Sequence, residues 1–410
     1  MADLSVVDLS PDADGIIDLG ALGHGFVRDP YPVYAALRER GAVHRIRMPE
    51  GAVAWLVVGH EAVRAALVDD RLSKKWEHAS PEAGTNSVST GRHMLITDPP
   101  DHTRLRKLVA REFTPRRIAA MEPRIRELTA GLLDSMLAAP DNRANLVESL
   151  AFPLPISVIC ELLGVPFLDR ARFRAWSDAV LGIAPDAEKM AHVRAVTDYL
   201  TELLERLRQE PGEDLLSALI RTSDEDGDRL SPEELLGMAW LLLIAGYETT
   251  VGLISGGVLA LLRHPDQLAA LRADPSLLDG AVEEMLRWDG PVETPTYRFT
   301  TAPVEIDGTS IPGDGQLVLP VLADADRDPA RFPDGDTFDI RRAPRGHVAF
   351  GHGIHFCLGA PLARLEARIA VGMLLERTCA LELDTDPDTL RWREGLLMRG
   401  PTTLPVRWRL

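Results

Sequence analysis

Cys357 is the side chain best placed to do chemistry, because of what surrounds it: Phe350-Gly351-His352-Gly353-Ile354-His355-Phe356-Cys357-Leu358-Gly359. The glycines let the backbone fold tightly around a sulfur and aim N–H groups at it, and the run 360–375 reads as the helix that follows. A thiol at a helix start, beside donors, is expected to be a thiolate, the strong axial donor that a haem iron needs. Two plainer readings stand beside this one. A lone cysteine is often a small buried hydrophobe, and His352, His355 and Cys357 form a zinc-like trio, although no fourth ligand has suitable spacing.

Ala245-Gly246-Tyr247-Glu248-Thr249-Thr250 places a carboxylate in the middle of a long apolar run, where burial is costly unless the charge has a purpose. The glycine and the hydroxyls can loosen the local ladder, since threonine bonds a carbonyl one turn back and leaves room for a small ligand. A simple kink with a self-satisfied Glu–Thr pair is the structural alternative. Glu284 and Arg287 stand three apart on one helical face, which by itself is an ordinary surface pair. His102 and Arg106 share a face at i, i+4, while Arg298 lies among predicted strands where a lone guanidinium needs an anionic partner.

These groups must be positioned by a mostly helical chain. After a polar lead-in over 1–28, a short helix is predicted over 33–40, a hairpin over 43–47 and 54–58, and a helix over 60–67. Residues 73–97, rich in Ser, Thr, Gly and Asn, read as a lid loop. Helices follow at about 100–113, 115–137, 146–163, 168–181, 187–209, 214–221, 232–263, 264–272 and 277–288. Short strands are expected over 291–322, then a Pro- and Asp-rich meander over 324–345, the cysteine loop, a helix over 360–376 and short C-terminal strands. Residues 235–262 carry a single charge, Glu248, and are long enough to cross a membrane. The capping box Ser231-Pro232-Glu233-Glu234 favours instead a central helix that starts in water and is covered by protein on all sides.

The chain has 410 residues, is 45% hydrophobic and carries a net charge of -17. It can bury a large core, and wholesale nucleic-acid binding is excluded. Its three cysteines lie far apart, so no disulfide framework is expected, and the acidic N-terminus lacks a signal-peptide pattern. A soluble, cytoplasmic, single-domain monomer with no membrane anchor is the expectation.

In this order, the motifs resemble the cytochrome P450 superfamily from about residue 29 to the C-terminus. The chain is most similar to the soluble bacterial pikromycin-type macrolide hydroxylases. The resemblance implies a mainly α fold with small β-sheets (α+β), with haem b between the central helix and the cysteine helix. Cys357 would hold the iron in a loop shaped by Phe350, Gly351 and Gly359. Ala245 and Gly246 would form an oxygen groove in which Thr249 steadies dioxygen and Glu248 relays protons. His102, Arg106, Arg298 and His355 would hold the haem propionates. Glu284, Arg287 and Arg342, from the meander, would form a buried structural lock.

The implied reaction inserts one atom of O2 into a C–H bond, the other leaving as water. The distal pocket would draw on the lid, 168–191, Ala245, Val292, Thr294, Leu95 and Leu181, and would take a bulky, largely apolar polyketide or macrolactone. Glu77 and Glu82 could meet an amino sugar, or they are solvated loop charge. Against the acidic background, basic residues cluster over 104–126, and Arg104, Lys107, Arg111 and Arg364 are expected to form a docking face for a ferredoxin served by a ferredoxin reductase. A peroxide-driven peroxygenase, a fatty-acid or terpene hydroxylase and a non-enzymatic haem sensor are the alternatives.

Overall fold

The computed structural model describes residues 9–83, 91–166, 176, 186–225, 229–342 and 345–409. The helix expected over 168–181 lies outside these except for Trp176, and Leu181 and residues 84–90 of the lid also lie outside.

The central helix runs Pro232–Arg263. Ser231 accepts from Glu234 N at 3.1 Å and Glu234 Oε2 accepts from Ser231 N at 2.9 Å, so two otherwise unpaired donors are satisfied and the start is fixed. Glycines let its neighbours approach. A Cβ on Gly246 would lie 2.5 Å from Ile159 Cδ1, and one on Gly252 would lie 3.0 Å from Arg399 O. The most apolar 18-residue window of this helix is 83% buried by the protein itself.

Two predicted helices are each split. The 115–137 run divides at Met121 into Pro115–Ala120 and Glu122–Leu137. The 146–163 run becomes a π turn, Val147–Ala151, followed by a helix Pro153–Leu163. Pro153 and Pro155 each remove a backbone donor there, and Phe152 N reaches Val147 O at 2.8 Å instead.

A six-stranded mixed sheet runs in the order Ile17–Asp18, Val43–Arg47, Val53–Val57, Leu317–Pro320, Arg298–Thr300, Leu72–Ser73. Three antiparallel strands, Ala380–Leu383, Pro405–Arg409 and Arg143–Asn145, form a second sheet. A two-stranded hairpin, Val304–Ile306 with Thr309–Ile311, turns on Asp307 and Gly308, both at positive φ, the geometry an Asp-Gly turn favours. Around the central helix lies a helical core that includes Ile159, Tyr247, Leu286 and Leu374, while Tyr34, Leu37, Leu56 and Phe299 form another against the large sheet. The cysteine helix, Ala360–Glu376, packs against both the central helix and the helix Leu278–Asp289.

Candidate functional site

Cys357 leaves its loop just before the cysteine helix. Its N–H donates to Phe350 O at 2.9 Å, closing the loop, and Gly351 and Gly353 both take φ +76°, which favours glycine. The residue is an exposed free cysteine, yet protein atoms crowd around its sulfur. That burial pushes the thiol above its usual range, against the N–H groups of Gly359 and Ala360 and the guanidiniums of Arg106 and Arg364. The thiolate expected from sequence therefore needs more than these donors. A bound metal cation deprotonates a coordinating thiol outright.

The zinc reading fails. His352 sits 3.2 Å from Arg64, the His355 and His102 rings meet at a tilt with centroids 4.3 Å apart, and among the described residues no trio of His, Cys, Asp or Glu is placed to hold a metal ion.

On the central helix, Ala245 is exposed and Gly246 and Thr249 are half-buried, although their neighbours on either side are covered. An accessible stripe inside a buried helix borders a cavity. Thr249 Oγ1 donates to Ala245 O at 3.3 Å, the i−4 bond expected of it, but the helix continues unbroken, and Gly246 serves close packing against Ile159, not a kink. Glu248, 2% exposed, is not paired with threonine. Arg393 Nη2 lies 2.8 Å from its Oε2. Nothing in the sequence around Arg393 signalled this contact, which joins positions 145 residues apart.

His102, Arg106, Arg298 and His355 converge, and Lys74, which sequence reasoning counted only as lid, joins them. Both ring nitrogens of His102 are buried without a hydrogen-bond partner. Burial, with Lys74, His102, Arg298 and Arg106 nearby, pushes His355 down to about 2. Arg298, 3% exposed, is lowered to about 10 by burial, eased by Asp98. Lys74 Nζ donates to Thr296 O, Thr296 Oγ1 and Tyr297 O at 2.5–2.7 Å, and burial depresses it strongly. Cationic and donor groups that weaken one another and leave His102 nitrogens unpaired fit a group bearing two carboxylates, as haem does. Arg106 also donates to Phe356 O at 2.6 Å, tying the helix Asp101–Ala110 to the cysteine loop.

Behind this, Glu284 and Arg287 have fully buried side chains joined by two bonds of 2.7 Å. Arg287 also donates to Asp326 O and Gly335 O at 2.7 Å, and Arg342 Nε reaches Glu284 Oε1 at 3.3 Å. This is not the solvated surface pair that spacing alone allows.

The expected docking face changes in membership. Arg104 turns inward to Glu234 at the start of the central helix and donates to Arg229 O at 2.9 Å. Arg364 stacks over Phe350 and donates twice to Glu283, at 2.6 and 2.9 Å. Burial pushes Glu283 up, yet His347 and Arg364 outweigh it and pull it to about 2. Lys107 and Arg111 remain exposed. Of the pocket residues, Val292 and Leu95 are half-buried, whereas Thr294 is 2% exposed and donates its hydroxyl to Leu396 O at 2.8 Å. Glu82 pairs with Arg45 at 2.9 Å, and Glu77 has Lys75 at 3.6 Å and His78 at 3.8 Å, which leaves little acidic charge there for an amino sugar.

A loop that presents one cysteine at the start of a helix packed on the central helix, which carries an accessible Ala245–Gly246–Thr249 stripe with a buried carboxylate beside it, defines the haem-thiolate oxygenases. Residues 182–405 match the family described as Cytochrome P450, and the chain belongs to that family as a monooxygenase with haem b as cofactor and O2 as co-substrate. It is 59% identical to cytochrome P450 monooxygenase PikC of Streptomyces venezuelae, over 96% of this chain and 94% of the relative. It is 48% identical to 6-deoxyerythronolide B hydroxylase of Saccharopolyspora erythraea, over 92% and 96%. The structure of tirandamycin C-bound TamI matches with a TM-score of 0.87 at 46% identity, over 93% of this chain and 98% of that one.

Proposed function

We propose that the chain hydroxylates a bulky, largely apolar polyketide or macrolactone, with Cys357 as the iron ligand and Glu248 and Thr249 as the proton-delivery pair. Bound haem supplies the oxygen-activating chemistry, so that R–H, O2, two electrons and two protons give R–OH and water. The protein's part is placement. Gly359 and Ala360 N–H groups and Arg106 would support charge on sulfur, and His102, Arg298 and His355 would hold the haem carboxylates, with Lys74 fastening Thr296 and Tyr297 just before the Arg298 strand. The Thr249 hydroxyl, held one turn back on Ala245, stands at the cavity wall where a proton has to be handed over, and Glu248 precedes it on the same helix.

The observation that carries the reading is the cationic cluster with unpaired His102 nitrogens beside a cysteine loop closed on Phe350. A polyketide substrate is supported by similarity to proteins named for 6-deoxyerythronolide B and tirandamycin C. A ferredoxin, supplied by its reductase, is the proposed electron donor, docking on Lys107 and Arg111; the protein is proposed to act as a cytoplasmic monomer of one domain.

The test is spectroscopic. The reduced protein under carbon monoxide is expected to show the thiolate-shifted band, and Cys357→Ser to bind pigment without it. 6-Deoxyerythronolide B is expected to displace the iron's water where fatty acids and terpenes do not; the reverse preference would overturn the substrate class. Charge reversal at Lys107 and Arg111 is expected to slow reduction by ferredoxin and flatten its salt dependence.

A further inference from the structure

Glu248 has its counter-charge on a different part of the chain. Arg393 sits in a hairpin closed by Arg393 N to Gly400 O at 3.0 Å and Thr402 N to Arg391 O at 2.9 Å. That hairpin is fastened on two sides. Thr294 N and Glu293 N each donate to it at 3.0 Å, on Leu396 O and Leu397 O, and its Arg399 carbonyl seats against Gly252, one turn beyond Glu248. Backbone bonds thus fix the hairpin that carries Arg393, whose Nη2 lies 2.8 Å from the Glu248 carboxylate.

The pairing has an unusual form. Neither Glu248 oxygen accepts an aligned hydrogen bond, and the Thr249 hydroxyl points back to Ala245 O. A buried carboxylate without a partner is costly, so Arg393 provides the charge that Glu248 needs, yet the contact is one of charge and not of direction. Turning about the side-chain bonds of Glu248 is then enough to leave it.

We propose that Arg393 is a positioning residue that restrains Glu248 away from Thr249 and so limits how fast protons reach dioxygen. The inference rests on Glu248 being the proton relay. Its consequence is a restraint on wasteful turnover: O2, NADPH and one proton give hydrogen peroxide and NADP+, and this leak is slow while the ion pair holds.

The test uses the full-length holoenzyme with ferredoxin, its reductase and NADPH, and dioxygen alone as the probe. Arg393→Gln is expected to raise NADPH consumption and peroxide release several-fold and to lower the solvent deuterium isotope effect, with Arg393→Lys restoring both. In a Glu248→Gln background, Arg393→Gln is expected to change neither quantity. Thermal unfolding gives a readout independent of turnover: Arg393→Gln lowers the midpoint by several degrees and Glu248→Gln/Arg393→Gln recovers most of it, about the size expected from removing a stranded charge. If Glu248→Gln alone leaves the leak and isotope effect unchanged, the relay assignment itself falls. A Glu248→Gln effect to which Arg393→Gln simply adds, or a double variant as unstable as Arg393→Gln, overturns the restraint and leaves the relay standing.

Discussion

His102 carries two buried ring nitrogens with nothing to bond, a cost of about 1–3 kcal/mol for each unsatisfied group in the folded chain. A site arranged for an anion has to bear such costs, and the same groups should then be felt in cofactor retention. His102→Ala and Arg298→Ala are each expected to speed haem loss to apomyoglobin by about tenfold or more, since charge-assisted bonds contribute about 1.5–3 kcal/mol. Glu284 and Arg287 predict a different failure. With both side chains fully buried, truncating either leaves a bare charge that costs about 3–5 kcal/mol, so Glu284→Ala is expected to be isolated with little haem by pyridine haemochrome assay, whereas Cys357→Ser keeps its pigment. Arg287→Lys should fare little better, because an ammonium cannot span Glu284, Asp326 O and Gly335 O at once. The closed loop around Cys357 was legible from its glycines and the Glu284–Arg287 contact from its i, i+3 spacing, while the burial of that pair was implied only by the family resemblance. Arg393 and Lys74 were not legible, since each meets its partners only after distant segments have folded together.

Among the elements, the central helix was the easiest to read, its observed bounds following from the capping box at Ser231 and from apolar residues all round. The split helices were not legible, because periodicity continues across Met121 and across Phe152 while prolines and packing break the backbone ladder. Gly246 shows how one residue governs the spacing of two elements. Gly246→Ala drives a methyl into Ile159 and is expected to lower the unfolding midpoint by a few degrees, an overpacking cost of about 1–3 kcal/mol, with Ile159→Val recovering part of it in a calorimetric comparison.

For the whole molecule, buried ionisable groups set how stability follows pH. Burial, then Lys74, lowers His93 to about 4 from 6.5, so the unfolded chain takes up a proton between those values that the native protein refuses. Its contribution is therefore present above pH 6.5 and lost as pH falls towards 4. Asp326, raised by burial to about 7 from 3.8, works in the opposite sense: its contribution is present below 3.8 and lost as pH rises through 7. The unfolding midpoint of His93→Gln is expected to fall less steeply than that of the unaltered protein between pH 6.5 and 5, and the advantage of Asp326→Asn is expected to grow between pH 4 and 8.

The large sheet hydrogen-bonds Val53–Val57 to Leu317–Pro320, and a hairpin near position 400 is seated against Gly252. During synthesis, the first half of the chain must wait on the ribosome for partners more than 250 residues away before the sheet can close. Porphyrin capture is then a late event, open only to nearly finished chains, and a cell making this protein faster than it can supply pigment would accumulate colourless, aggregation-prone polypeptide.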